Sequence, residues 1–538
     1  MKKKKSEDKI SGPELFIGLV GAVGTDLELV SSALQDSLSE VNYKFQTIQL
    51  SKLLHEIDEW KNLSSSLHED QRYHKHMDAG NELCQNVERG DALAVLAFSA
   101  IAEHSGRIKK DSPEIFFALR NRTPRCAYIL RSLKRTEEVE TLREIYGPNF
   151  FLVAAYSPRE TRLQKLAGKI ADSYGSNQTD KYLDKAQSII IRDEKESDKI
   201  FGQNVSNTFP KADVFINAGD PIGLRKELKR FIELLFGYPF HTPTRDEYSM
   251  FHAHAAALRS SSLSRQVGAV ISTEDGDIIA VGTNEVPKAR GGLYWSDDTL
   301  DCRDFRFGYE TSDRMKKNTV AELLNCLKEA KWLSEKKSKV NLQNLVNSAL
   351  PLTNDTQIMN LIEFGRSEHA EMAALIDAAR RGVSIKGATL YTTTFPCHDC
   401  ARHIITAGIR RVVYIEPYPK SRAFNLHSDS IAIDTFEEGI GRVSFHPFVG
   451  IAPRQYMELF SFSKGQRVRK DGKIVEWEQT KSNALPRFVR FPQHLQFLSY
   501  FSYLLRENEE LTALYKKMKQ AGLKLVAKLR TPKVIKKT

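Results

Sequence analysis

For a chain of 538 residues there is little cysteine and little tryptophan, six and four respectively. Cys84, Cys126, Cys302 and Cys326 stand far apart, which excludes a disulfide framework and points to a reducing compartment. Long apolar runs are missing too. No stretch reaches the ~18 apolar residues that a membrane-crossing helix needs, and the lysine-rich start MKKKKSEDKISG leads into no signal-type apolar segment. The expectation is a soluble, cytoplasmic protein with no membrane partner. An excess of acid is also absent: 79 Lys and Arg against 68 Asp and Glu leave a net charge of +11. That balance suits an anionic ligand, nucleotide or nucleic acid, and does not choose between them.

The two remaining cysteines are close together. Pro396-Cys397-His398-Asp399-Cys400 follows His369-Ala370-Glu371, so one H-x-E is paired with one P-C-x-x-C, the pattern of zinc-dependent base deaminases. The apolar positions Met372, Ala374, Leu375, Ala378 and Ala379 recur at helical intervals and stop near Gly382. A β-rich stretch, Gly387 to Thr394, separates this helix from a second one beginning at Pro396, which carries Cys397 and Cys400 on one face. Two helix starts are thus expected to meet. Helix N-termini favour thiolates, and one imidazole with two sulfurs leaves a fourth tetrahedral position for water, as a catalytic Zn2+ requires. His369, Cys397 and Cys400 are the candidate metal ligands, and Glu371 is the candidate proton carrier between water and base. His398 and His403 are expected to face solvent or core, and His252 and His254, on different faces of their helix, to be packing or surface residues.

The length exceeds one ordinary core. Strand candidates at 14–20, 43–50, 92–98, 125–129, 150–155 and 214–217 alternate with helical stretches, as in a parallel sheet with crossover helices. Two prolines near 236–244 mark a boundary. Beyond it come a helix over 246–258, a hairpin of 267–272 and 278–282 turning at Glu274 to Asp277, and a further core strand over 411–416. The expected layout is a basic tail (1–12), a first domain (13–236), a second domain (240–460) with a long insertion at about 295–364, and a C-terminal hairpin with a basic helical extension (461–538). Long insertions are often lids or interfaces. The extension is expected to pack on the second domain or on a neighbouring subunit of a homo-oligomer.

Gly21-Ala22-Val23-Gly24-Thr25-Asp26 links the first strand to a helix, an arrangement that cradles phosphate on backbone N–H groups. IGLVGAVGTDLELV resembles the P-loop of small nucleotide-kinase-like proteins, and Arg131 to Pro158 is similar to a later core strand and helix of that class. Where a P-loop has Gly-Lys-Ser/Thr, this chain has Asp26-Leu27-Glu28, so the phosphate-gripping lysine and magnesium-binding hydroxyl are missing. Gly21, Gly24 and Thr25 remain as a degenerate P-loop. In the second domain, RSSSLSRQVGAVIS followed by VGTNEVP resembles the substrate side of deoxycytidylate deaminases. That resemblance implies a phosphate-side role for Arg259, a neighbouring one for Ser260 and a sugar contact for Asn284. Tyr418, Lys420 and Ser421 are further substrate-side candidates.

Over residues 13 to 460 the chain resembles the bacterial anti-phage deoxycytidine nucleotide deaminases of the AvcD type. The resemblance implies an α/β fold throughout: an N-terminal P-loop NTPase-like parallel sheet with flanking helices, then a cytidine-deaminase-like α/β/α domain with a central mixed sheet. It also implies dCTP and dCMP as substrates, dUTP and dUMP as products, a role in starving phage replication, and silencing until infection, in some members by a small RNA. The N-terminal domain is expected to take a nucleotide or a small regulatory RNA. Two other functions fit the same motifs, namely a cytosine deaminase acting on RNA or single-stranded DNA, which the basic C-terminal end would serve, and a housekeeping dCMP deaminase.

Overall fold

The computed structural model describes residues 12–63, 67–105, 125–196, 199–353, 356–361, 363–418, 421–433, 441–463, 466–477, 481, 484–488 and 493–526. The basic start before Gly12, the lysines beyond Val526 and Lys420 lie outside the described residues. The chain forms two compact units, residues 1–244 with 449–538, and residues 245–448.

The first unit is built on β1 (Leu15–Val20), β2 (Lys44–Gln49), β3 (Cys126–Leu133), β4 (Phe150–Tyr156) and β5 (Val214–Asn217), all parallel, in the order β5-β4-β1-β3-β2. Parallel neighbours need crossovers, and helices supply them. The central strand LFIGLV is buried at every residue, which is why its sequence reads as an unbroken apolar run. After it the chain turns through residues 21–26 into helix α1 (Leu27–Glu40), whose start is capped by Asp26 accepting from the Leu29 N–H at 3.0 Å. Leu27, Val30, Leu34 and Leu38 of α1 pack on the sheet with Leu228 and Phe231.

One strand expectation fails in this unit. Residues 92–98 are the first half of a helix, Ala92–His104, in which Ala92 to Phe98 are all buried. An element apolar on every side carries no usable period, and the run of alanine and leucine favours helix. A second difference concerns the boundary. Gly450 and Ile451 pair antiparallel with Phe215 and Val214 of β5, and the Ala452 N–H donates to the Asp213 carbonyl at 2.9 Å. The buried Asp213 carboxylate accepts from Leu152 N–H (2.7 Å), Arg143 (3.0 Å) and Gln455 (3.0 Å), fastening this returning segment. Residues 449–460, expected in the second domain, therefore belong to the first unit. So does the extension. Helix Gln493–Gln520 packs on Ala92–His104, Tyr503 donates to Glu14 at 2.6 Å, and Tyr146 donates to Glu507 at 2.7 Å. Before it, a bridge between Val468 and Ile474 with Gly472 at φ +81° forms the hairpin expected there.

The second unit holds the mixed sheet β10-β11-β9-β8-β6-β7. Here β6 (Gly268–Ser272) and β7 (Ile278–Thr283) form the antiparallel hairpin, β8 (Thr389–Thr394) runs antiparallel to β6, and β9 (Arg411–Glu416), β11 (Val443–Pro447) and β10 (Ile431–Ile433) add in parallel. The insertion contributes helix α2 (Thr311–Glu329), and the sheet carries α3 (Ala370–Arg380) and α4 (His398–Thr406). Two glycines set how closely helices approach. A Cβ on Gly268 would lie 1.9 Å from the Ala253 carbonyl oxygen of helix Arg245–Ala257, and one on Gly282 would lie 2.0 Å from that of Ala370. Because Ala269 sits opposite Gly282, the two glycines face opposite sides of the hairpin, one for each helix. The start of α3 is thereby pressed directly onto β7.

Candidate active site

His369 and Cys397 are the N-cap residues of α3 and α4, both in extended backbone. The sulfur of Cys397 accepts from the Cys400 N–H at 3.4 Å, so the cap itself presents a ligand atom. His369 Nδ1 lies 3.3 Å from the sulfur of Cys397 and 3.3 Å from that of Cys400. One donor atom from each of the three residues falls within 4.8 Å of the others, and among the described residues this is the only such grouping of His, Cys, Asp and Glu. Both sulfurs are buried in the unit's core. Glu371, one half-turn into α3, is buried with Oε2 3.7 Å from the Cys400 sulfur.

The electrostatics follow from burial and proximity. Desolvation pushes the Glu371 carboxyl up to about 7. The Cys397 thiol is held down at about 4 by the hydrogen bond from Cys400, aided by His369, while Cys400 is raised by the sulfur beside it. His369 is raised to about 9 by Cys397. One imidazole and two thiols, one of them already inclined to ionise at the end of a helix, are a donor set that fits zinc with a coordination position to spare.

These residues open onto a cavity of about 270 Å³, whose wall includes His369, Glu371, Cys397, Asn284, Arg265 and Tyr418. The insertion closes part of it through Asp304, Glu310, Ser312, Lys316 and Leu361. Of the substrate-side residues read from sequence, Asn284 and Tyr418 reach the wall. The Asn284 amide is engaged on both ends, Oδ1 accepting from the Val267 N–H and Nδ2 donating to the Arg265 carbonyl, each at 2.7 Å. Arg259 and Ser260 are not on the wall. The Arg259 guanidinium donates to the carbonyls of Leu293 (3.2 Å) and Tyr294 (3.0 Å) and stacks on Trp295 at 3.5 Å, while the Ser260 hydroxyl donates to the Asn284 carbonyl at 2.7 Å. Ser421 donates to the Pro396 carbonyl at 2.8 Å and supports the turn before Cys397.

Sequence reasoning missed Glu285, Arg265, Lys316 and Arg366. Glu285 is buried, accepts from the Ser261 N–H and hydroxyl, and its carbonyl accepts from the Glu368 N–H at 3.0 Å, tying the loop after β7 to the residue before His369. Its place in the G-x-N-E turn was the available signal. His398 is half-buried and His403 exposed, neither joining the donor group.

In the first unit, Gly21, Gly24 and Thr25 form the turn into α1. The Val23 N–H donates to the buried Asp193 carboxylate at 2.7 Å, and the Lys134 ammonium lies 2.8 Å from Asp193 Oδ1 and 3.0 Å from the Gly21 carbonyl oxygen. Gly24 has φ +92°, and a Cβ there would meet Arg162 at 2.8 Å.

Comparison with known proteins agrees with the geometry of the second unit. Residues 243–416 match the family model of the cytidine and deoxycytidylate deaminase zinc-binding region. This part of the chain is thus similar to the zinc-binding region of cytidine and deoxycytidylate deaminases. The deoxycytidylate deaminase of Enterobacteria phage T2 is 52% identical over 54 residues, 10% of this chain and 29% of that protein. The probable deoxycytidylate deaminase of Drosophila melanogaster is 26% identical over 193 residues, 35% of this chain and 70% of that protein. A crystal structure of the dCMP deaminase from cyanophage S-TIM5 aligns at 18% identity over 38% of this chain and 99% of its own, with a TM-score of 0.21. The chain spans less than a third of the phage T2 relative's length.

Proposed function

We propose that this protein hydrolytically deaminates deoxycytidine nucleotides, dCMP and dCTP, to the corresponding deoxyuridine nucleotides and ammonia. The observation that carries the reading is the convergence of His369, Cys397 and Cys400 beside buried Glu371 on the wall of one cavity. His369, Cys397 and Cys400 would hold zinc, which would supply Lewis acidity toward water. Glu371 would take one proton from the attacking water and carry it to the ring nitrogen of the base, then pass the second to the amino group. The water oxygen would end as the carbonyl oxygen at the carbon that bore the amino group, which would leave as ammonia. The raised Glu371 carboxyl suits this shuttle, because a group that both accepts and returns a proton works best with a pKa near the working pH. The loop held by Asn284 and Glu285 ties to the residue before His369, and residues of the insertion line part of the cavity.

In this reading the protein is of the AvcD type, depleting deoxycytidine nucleotides during phage infection, with a P-loop-like first unit that senses rather than hydrolyses a nucleotide. The sequence resemblance supports that assignment, together with the absence of the lysine and hydroxyl a phosphate-transferring P-loop uses. A cytosine deaminase acting on single-stranded nucleic acid is the second reading. It is favoured by arginine–aromatic pairs on the insertion, Arg366 over Phe307 at 4.7 Å and Arg314 over Tyr309 at 5.1 Å, both rings exposed. Ammonia release with product identification on dCMP, dCTP, cytidine and a cytosine-rich oligonucleotide separates the two. Uracil formed from the free deoxynucleotides supports the first, and uracil formed in the oligonucleotide alone overturns it.

A further inference from the structure

The deaminase sheet does not complete its own cavity, and the insertion brings charge as well as cover. Three cations stand on the wall: Arg265, Lys316 and Arg366. Their surroundings differ. Arg366 is committed to the insertion, donating to Asp304 at 2.7 Å and to the Cys302 carbonyl at 3.1 Å. Arg265 is loosely held, 3.7 Å from Glu416 and 5.1 Å above the Tyr418 ring. Lys316, half-buried on α2, has no carboxylate within ion-pair distance among the described residues, although its charge is felt by Glu310.

An ammonium group kept on a cavity wall without a partner gains little for the fold. It is ready for an anion that arrives with the ligand, since lysine binds phosphate as a compact point charge without needing a planar fork. The arginine that the sequence offered for that purpose, Arg259, is turned away to two backbone carbonyls and Trp295. We propose that Lys316 of α2, with Arg265 in the same cavity, binds the 5′-phosphate of the substrate, so that the insertion is a specificity element selecting nucleotide over nucleoside. This rests on the deaminase reading above. It adds a residue and a role that neither the zinc-binding motif nor the hairpin motif contains.

The test compares kcat and KM of the full-length, zinc-loaded wild type, Lys316→Ala, Lys316→Arg and Lys316→Glu on dCMP and on deoxycytidine. Losing a charged hydrogen bond to the ligand predicts that Lys316→Ala lowers kcat/KM for dCMP by at least about tenfold, chiefly through KM. The loss falls far less on deoxycytidine, Lys316→Arg restores most of it, and Lys316→Glu deepens it. The rise of KM for dCMP with salt is also shallower in Lys316→Ala. Equal losses on both substrates, or no loss on either, overturn the proposal while leaving the deaminase reading intact. So does a wild type that acts on deoxycytidine as well as on dCMP. A wild type that deaminates none of dCMP, dCTP and deoxycytidine removes the deaminase reading and this inference with it.

Discussion

The two units each place a strand, a turn and a helix N-terminus where backbone N–H groups lack helical partners, and they use that arrangement in opposite ways. In the first, the turn is satisfied from within. Asp193 accepts from Val23, Lys134 neutralises Asp193, and Asp26 caps α1. In the second, the capping positions themselves hold His369 and Cys397, and their side chains point at one another across the wall of a cavity. The difference lies in the residues at and just before each helix start. A small-residue turn accepts a carboxylate from elsewhere in its own unit, whereas a histidine and a cysteine at the caps bring an imidazole nitrogen and thiol sulfurs together as a donor set that fits a metal.

The comparison can be broken most sharply at Glu371. Glu371→Gln keeps the shape of the side chain and removes its proton-carrying ability, so kcat for deamination falls by about 10²–10⁴ while the zinc content, measured by metal analysis, stays that of the wild type. A variant that loses zinc along with activity makes Glu371 part of the metal site instead. On the other side, Asp193→Ala leaves Lys134 facing the turn without its partner. Breaking such a buried pair costs about 3–5 kcal/mol, read as faster amide exchange of Val23 and its neighbours, with zinc content unchanged.

The third change sharpens the link between packing and site. Gly282→Ala places a methyl against the Ala370 carbonyl and must push α3 off β7, at a cost of about 1–3 kcal/mol. Because α3 begins at His369, the proposed zinc ligand, and carries Glu371, zinc affinity and activity are both expected to fall in this variant, and normal values for both contradict the packing argument. The smallest effect is one of pH. His446 on β11 is buried, and desolvation, with Arg411 nearby, lowers it from 6.5 to about 4. The unfolded chain therefore binds a proton below about pH 6.5 that the folded unit accepts only near pH 4, so this contribution to stability is complete above 6.5 and is lost as pH falls toward 4. His446→Gln flattens that part of the denaturation profile.

What the sequence made legible was what is local. The H-x-E and P-C-x-x-C motifs lie at helix starts joined by one strand, so spacing alone brings His369, Glu371, Cys397 and Cys400 to the same place. Strands with turns on both sides, such as β1 and the β6–β7 hairpin, were readable for the same reason. Residues 92–98 were not, because a fully buried helix of alanine and leucine looks like a buried strand. The role of Arg259 was hidden because its partners, Leu293, Tyr294 and Trp295, lie at and just before the start of an insertion whose path local pattern does not specify. The return of the chain to the first unit at Val449 rests on a two-residue strand and one buried aspartate, too short a signal for periodicity.

The most direct test of the central claim is incubation of the purified, zinc-loaded protein with dCMP in heavy-oxygen water, followed by mass analysis of the nucleotide. The account predicts dUMP carrying one heavy oxygen on the base and an equal amount of ammonia, with both lost in Glu371→Gln. Recovery of unchanged dCMP from the wild type, with zinc bound, would contradict it.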